Sequence, residues 1–435
     1  MDQASASKKI INGWAMYDWA NSAYNLVITS TIFPVYYDAI TSTKDSAGKV
    51  IGHTISFLGF KFESGALYNY AIAFAYLVIA ILSPFLSSIA DGRGNKKRFM
   101  QFFCYLGSAA CCLMFAFTKA RLNLGITCCI IAAIGYCGSL VFYNAYLPEI
   151  ASEKDQDQVS AKGFAYGYIG SVLLQIICFV FVLIKPFGMD EGFASRLSFL
   201  LVGLWWFGFS QITFFRLPKS RINAARRVSV FNNGFVELKK VWQQVKVMPV
   251  LKRYLCSFFF YSMGVQTVMI AATLFGSQVL NLSVTQLIVC ILIIQIVAIG
   301  GSYLMAKLSE RYGNIQVLAF VVLIWIAVCV IAYFIQTAMG FYIVATLVGI
   351  VMGGIQSLSR STYSKLMPST EDTASFFSFY DVSEKVAIVI GTFSFGFIQQ
   401  LTGNMRYAIL VLILFFIIGF AGLLFTRKAQ RFIPS

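Results

Sequence analysis

The chain has 435 residues, of which 58% are hydrophobic and 12% charged. Soluble domains usually carry about a quarter charged residues, so half that supply cannot cover a water-facing surface, and much of this surface must meet lipid. The formal net charge of +16 does not mark a nucleic-acid binder, because the Lys and Arg residues cluster between apolar runs, as positive-inside loops do.

A bilayer core of about 30 Å takes about 20 apolar residues per helix. Twelve runs of that kind follow one another: 14–37, 66–90, 99–117, 124–147, 164–184, 196–215, 254–280, 285–308, 315–336, 341–366, 374–400 and 405–425. Met1 to Lys9 is polar and the first run is too long for a signal-peptide core, so no cleaved signal is expected. On that first run Asp18, Asn21, Ser22 and Asn25 fall at i, i+3, i+4 and i+7, a single helical stripe facing a wet cavity or a partner helix. Asp18 lies about one turn inside the run, where a capping or snorkelling role is the alternative. The connection 38–65 is long, and its 54–63 stretch alternates weakly, as a hairpin would.

Most of the ten cysteines, Cys128 and Cys137 among them, sit within apolar runs and serve as small apolar residues rather than a disulfide or metal framework. The only histidine, His53, falls in a connection, so neither a zinc site nor a catalytic triad is expected, and no cofactor. The longest polar stretch, 218–252, divides the chain into a six-helix half (1–217) and a second six-helix half (253–435). Within it Phe231, Phe235, Leu238, Trp242 and Val245 recur at helical spacing among Lys239, Lys240 and Lys246. That pattern predicts a basic amphipathic helix lying on the anionic membrane surface.

In the second half the tenth run places Gln356, Arg360 and Tyr363 on one face. Arg360 is the natural fork for a substrate carboxylate; a gate ion pair and a positive-inside anchor are the alternatives. Gly349, Gly353 and Gly354 permit close helix contact, or a hinge beside Gln356. The eleventh run carries Asp381, Glu384 and Lys385. Asp381 and Lys385 stand at i, i+4 and can neutralise each other, which leaves Glu384 as a candidate proton carrier or partner for Arg360; the coupling candidates are Asp18, Asp381, Glu384 and Lys385. Ionisable groups at this depth are costly and usually mark a pathway. Counted by connection, 25 Lys and Arg lie on the side of both termini and 8 on the other, so both termini are expected in the cytoplasm.

The halves repeat. Ala90-Asp91-Gly92-Arg93-Gly94-Asn95-Lys96 follows the second run and Ser309-Glu310-Arg311-Tyr312-Gly313-Asn314-Ile315 the eighth, with Asp91 and Glu310 219 positions apart. Such duplication is expected of transporters. The two loops resemble the signature loop of the major facilitator superfamily, although Ser87 and Gly92 stand where glycine and arginine are usual. Four further stretches resemble the vacuole-effluxer family: Trp14-Ala-Met-Tyr-Asp-Trp-Ala-Asn-Ser-Ala-Tyr24, Tyr143-Asn-Ala-Tyr-Leu-Pro-Glu-Ile-Ala151, Gly353-Gly-Ile-Gln-Ser-Leu-Ser-Arg-Ser361 and Phe376-Phe-Ser-Phe-Tyr-Asp-Val-Ser383. At Ser262-Met-Gly-Val-Gln-Thr267 the family's Asn-Asp pair is absent.

The resemblance implies an all-α membrane protein with twelve transmembrane helices in two pseudo-symmetric halves. Helices 1, 4, 7 and 10 would surround a central cavity, which adds Tyr143, Asn144 and Gln266 to its candidate lining. In the superfamily such loops latch one conformation. Asp91, Arg93, Gly94, Lys96 and Lys97 would form one latch, and Glu310, Arg311 and Gly313 the other. Each acid would meet a helix N-terminus or arginine of the facing half. The implied function is a proton-linked or facilitated carrier of a small polar solute, amino acids first. Such a carrier would be monomeric in a bacterial cytoplasmic membrane, with no nucleic-acid partner. The competing classes, a membrane enzyme and a non-transporting sensor or scaffold, lack respectively a His/Asp/Cys cluster and any use for paired loops.

Overall fold

The computed structural model describes residues 6–44, 50–52, 54–219 and 234–430. Twelve long helices follow in chain order. In the first half these are α1 (Lys8–Ala23, continued by Tyr24–Thr31 and Ile32–Thr41), α2 (Ser64–Arg93), α3 (Lys96–Leu113), α4 (Leu122–Asn144), α5 (Gln156–Phe179) and α6 (Glu191–Arg216). In the second they are α7 (Pro249–Gln278), α8 (Val284–Tyr312), α9 (Asn314–Phe334), α10 (Ala338–Leu366), α11 (Thr373–Thr402) and α12 (Met405–Gln430). Among the described residues ten helices are long and apolar enough to cross a membrane by composition alone. The other two are α1 and α11, the helices that carry Asp18 and the Asp381–Lys385 cluster.

Local chemistry sets the helix ends. Away from the basic connections, four helices start on side-chain caps. Glu63 accepts from Ala66 N at 2.8 Å, Asp190 from Gly192 N at 2.7 Å, and Thr337 from Gly340 N at 3.2 Å, while Ser283 and Gln286 form a reciprocal capping box. At the basic end α2 and α8 stop on Gly94 (φ +62°) and Gly313 (φ +84°), backbone conformations open to glycine at little cost. The duplicated glycines thus both end a helix at positive φ, although their ψ angles differ, 31° at Gly94 and 148° at Gly313. In the middle of α1 the backbone widens into a π-helical segment, Tyr24–Thr31. There Ser30 Oγ donates to Asn25 O at 2.9 Å and Thr31 Oγ1 to Leu26 O at 2.7 Å, each five residues back. Such widenings often lie at functional sites, and this one adjoins the polar stripe.

Within the first half α1 packs on α5 and α6, and α3 on α4; within the second α8 packs on α10, and α7 on α12. The halves meet along α2–α11, α5–α8 and α5–α10. Glycines bring backbones together on several of these seams. A Cβ at Gly353 would run into Ala298 O and lie 3.0 Å from Ser302 N of α8, so Gly353 serves close contact, and Gly349 likewise faces Ile294 O and Val297. The 54–63 stretch forms the expected hairpin, Thr54–Phe57 against Phe60–Glu63, closed by Leu58 and Gly59 at positive φ. His53 lies outside the described residues.

The linker expectation needs correction. A helix does form, Gly234–Val247, but its apolar side faces the bundle rather than lipid. Val241 and Val245 are buried, Trp242 stacks on Phe379 of α11 at 6.1 Å, and Lys240 reaches Asp372 at 3.2 Å. The helix also packs on α2. Apolar area is better removed from water by a waiting groove than by the headgroup layer. Phe231 of the predicted stripe lies outside the described residues.

The α8–α10 seam yields a direct check. Gly353→Ala overpacks it, and overpacking costs about 1–3 kcal/mol. The melting temperature of the purified protein should fall measurably. An unchanged melting temperature would mean that the seam has room to spare.

Candidate functional site: a polar cavity between the halves

Between the halves lies a cavity of about 1040 Å³, counting its open mouth. From the sequence-derived candidates it receives Asp18, Ser22 and Asn25 of α1, Asn144 of α4, Gln266 of α7, Gln356 and Arg360 of α10, and Glu384 and Lys385 of α11. These are the helices that the family resemblance implied, plus α11. Three candidates stand behind the lining instead. Asn21 is buried beside Ser22. Tyr143 is buried and donates to Asp18 Oδ2 at 2.7 Å. Asp381 is buried and accepts from Lys385 Nζ at 2.9 Å. Sequence reasoning did not single out Tyr76, Tyr136, Tyr261, Ser359 and Tyr380, which also line the cavity. Aromatic residues are so abundant here that no single tyrosine stands out.

The floor of the cavity, toward the basic end, is built on Arg360. Its guanidinium is 4% exposed, and every donor nitrogen is engaged by the other half. Nε donates to Ser160 Oγ at 2.9 Å and Nη2 to Ser160 O at 2.8 Å, while Nη1 reaches Asp18 Oδ2 at 3.3 Å and Asn144 Oδ1 at 3.2 Å. The rings of Phe164 and Trp14 flank the cation at 4.3 and 4.8 Å, a favourable setting for a desolvated guanidinium. Gly163 makes room for the cluster: a Cβ there would lie 2.7 Å from Asp18 Oδ2 and 2.9 Å from Arg360 Nη2. Arg360 therefore has no free fork for a substrate carboxylate in this state.

Glu384 is not its partner. That carboxylate accepts from Gln266 Nε2 at 3.0 Å and stands 3.9 Å from Lys385 Nζ. The i, i+4 pair Asp381–Lys385 forms as its spacing suggested. The Lys385 ammonium also lies 5.5 Å from the centre of the Tyr76 ring, so the cavity wall presents an acid and a base side by side on α11.

Below the floor, the first duplicated loop meets the second half. Asp91, fully buried, accepts from the backbone N–H groups of Ala374 and Ser375 at 3.1 and 2.8 Å and from Ser375 Oγ at 2.8 Å. It thereby caps the N-terminus of α11, where a carboxylate is favoured by dipole and open donors alike. Lys96, also fully buried, bridges Asp91 at 3.1 Å, Glu149, and Thr373 Oγ1 at 2.6 Å. The other charged members of the predicted latches cap no helix of the facing half. Lys97 donates to Leu217 O of its own half at 2.9 Å, Arg93 is exposed, and Arg311 lies over the neighbouring Tyr312 ring. Glu310 is exposed and accepts from Gln158 Nε2 at 2.9 Å rather than capping a helix. Among the described residues there is no cluster of three or more His, Cys, Asp or Glu suited to a metal.

Comparison with known proteins agrees with this architecture. The family model described as "Vacuole effluxer Atg22 like" matches residues 6–431. The uncharacterized MFS-type transporter YxiO of Bacillus subtilis is 33% identical over 420 residues, which cover 96% of this chain and 94% of that protein. Autophagy-related protein 22 of Eremothecium gossypii is 25% identical over 469 residues, covering 94% and 89%. Among solved structures, the major facilitator superfamily transporter FucP, in its outward conformation, shares the fold. The TM-score is 0.71 over 96% of this chain and 98% of that one, at 14% identity. The chain is a member of the Atg22-like vacuole effluxer family, transporters of the major facilitator superfamily.

Proposed function

We propose that this transporter carries a small zwitterionic solute, amino acids first, by alternating access. Movement of the two halves would expose the cavity to one side of the membrane and then to the other. The observation that carries this is the pairing of Glu384 and Lys385 on the cavity wall. An ammonium can approach the one carboxylate that borrows its donor from Gln266, and a carboxylate can approach the ammonium of Lys385. The description of the family, vacuole effluxer, supports an efflux direction.

The Asp18–Arg360 pair acts in this account as the gate at the basic end, closed in the present state, and Asp91 on α11 as its latch. Opening would have to return a buried guanidinium and its partners to water. Asp18, Asp381 and Glu384 are the candidate proton carriers: protonation of any one releases a cation, of Arg360 or Lys385, that its charge now holds. We place the basic end in the cytoplasm from the Lys and Arg count, with the protein a monomer in a bacterial cytoplasmic membrane and no nucleic acid involved. Residues 1–217 and 253–435 are then the moving halves and 218–252 the tether.

Uptake or exchange of radiolabelled amino acids in proteoliposomes tests the assignment. Asp18→Asn, Gln266→Ala and Arg360→Lys should each lower transport severalfold, with protein yield near wild type. Arg360→Lys keeps the charge but loses the planar fork that spans Ser160, Asp18 and Asn144. If all three transport at the wild-type rate, the cavity is not the pathway.

Sidedness has its own check. Single cysteines replacing Lys246 and Lys61 should react with impermeant reagents from opposite sides of intact cells, Lys246→Cys from the cytoplasm. Labelling of both from one side would refute the twelve-span orientation.

A further inference from the structure

Asp157 has no part in the site described above, yet it is among the most thoroughly bonded carboxylates in the molecule. It lies in the first turn of α5 and is 1% exposed. Ser309 Oγ donates to it at 2.8 Å, Asn314 Nδ2 at 2.7 Å and Lys365 Nζ at 2.7 Å. All three donors belong to the other half, from the end of α8, the start of α9 and the end of α10. They are also tied to one another. Lys365 Nζ donates to Asn314 Oδ1 at 3.2 Å, and Asn314 Nδ2 lies 3.1 Å from Thr362 Oγ1. The positive-φ turn at Gly313 sets Asn314 at the mouth of this cradle. The second half therefore presents a preorganised carboxylate receptor to the first.

The internal repeat alone predicts something different. Asp91, in the last turn of α2, caps α11, so its counterpart Glu310, in the last turn of α8, should cap α5. Glu310 instead stays exposed and meets α5 only through the Gln158 side chain at 2.9 Å, and the buried acid of this contact sits inside α5 itself. We infer that the basic end is held by two locks of different construction, and that Asp157, not Glu310, is the positioning residue of the second. In the first lock a carboxylate from the last turn of α2 caps a helix of the facing half through its backbone donors. In the second a carboxylate from the first turn of α5 seats among side chains from three helix ends of the facing half. Both acids lie on the first half, so separation of the halves strips both at once. Charge-assisted bonds of this kind are roughly twice as strong as neutral ones. Losing one lock should therefore shift the closed–open balance strongly while leaving the cavity lining intact. The inference rests on the reading that the basic end opens during transport.

Cys137 provides a native reporter, because it is 2% exposed and lines the cavity above both locks. Sealed vesicles with the basic end outward are treated with a charged, impermeant thiosulfonate, and modification of Cys137 is followed by peptide mass spectrometry. A cysteine introduced at Lys246, exposed on the linker helix outside the spans, serves as the internal control. Asp157→Asn should raise the Cys137 rate about tenfold, a shift of about 1.4 kcal/mol in the closed–open balance. Ser309→Ala should raise it less, and Glu310→Gln should leave it at the wild-type value. Should Asp157→Asn fail to fold, Ser309→Ala carries the test against Glu310→Gln. If Asp91→Asn raises the rate and the second-lock variants do not, Asp157 is no lock although the gate reading stands. If Glu310→Gln raises it as much as Asp157→Asn, the symmetric arrangement is correct and this one is overturned. If neither Asp91→Asn nor the Asp157 and Ser309 variants alter it, the gate reading itself fails.

Discussion

A guanidinium buried within a membrane-embedded bundle has to be partnered, and Arg360 organises the centre of this molecule around that requirement. An unpaired ion in such surroundings costs several kcal/mol. The partners come from three helices of the opposite half: Asp18 on α1, Asn144 on α4 and Ser160 on α5. The surroundings follow from that cluster. Tyr143 holds Asp18 from behind and stacks on Trp14 at 4.4 Å. Gly163 keeps α5 near enough for Ser160 to offer both its hydroxyl and its carbonyl. This cation thus ties the two halves together at the cavity floor in this state, and any opening must replace its whole coordination.

The rest of the basic end reinforces that closure, and the contacts are polar rather than apolar. Polar contacts that can be exchanged for water suit a seam that must part and reform, because neither arrangement is then overwhelmingly favoured. Ser160 Oγ to Ser357 O at 2.8 Å and Tyr168 Oη to Gln356 Oε1 at 2.7 Å continue the pattern up the α5–α10 face. The linker helix adds a covalent dimension. It rests on α2 and α11, the helices joined by Asp91, and Lys240 meets the residue that precedes α11. The chain between the halves is therefore part of the closed assembly rather than a bystander on the lipid surface.

Much of this was legible in the sequence. Apolar runs located the spans, the stripe Asp18–Ser22–Asn25 on α1 faces the cavity, and the spacing of Asp381 and Lys385 announced their pair. The duplicated glycines both take positive φ, with Gly94 left-handed helical (ψ 31°) and Gly313 extended (ψ 148°). What stayed hidden has a common cause. The fifth run was read from residue 164, because the search rewards apolarity, whereas α5 begins at Gln156. The two turns thus discarded hold Asp157, Ser160 and Gly163, which are polar or small because they face the opposite half. Long-range partners are likewise invisible in one dimension. Nothing in the spacing says that Arg360 meets Asp18 instead of Glu384, or that Glu310 cedes its place to Asp157. The amphipathic pattern of the linker was real, but periodicity specifies only that a face is buried, not whether lipid or protein covers it.

The central claim is that the halves must separate at the basic end for solute to pass. Ser83 of α2 and Ser378 of α11 face each other across that seam, both buried, with hydroxyl oxygens 3.0 Å apart. In a Ser83→Cys/Ser378→Cys protein in proteoliposomes, oxidation to the disulfide should abolish amino-acid transport, and reduction should restore it to the level before oxidation. Each single substitution should be insensitive to the same treatment. Transport that continues at full rate through the oxidised, fully cross-linked protein would contradict the account, because the seam would then stay shut while solute crossed.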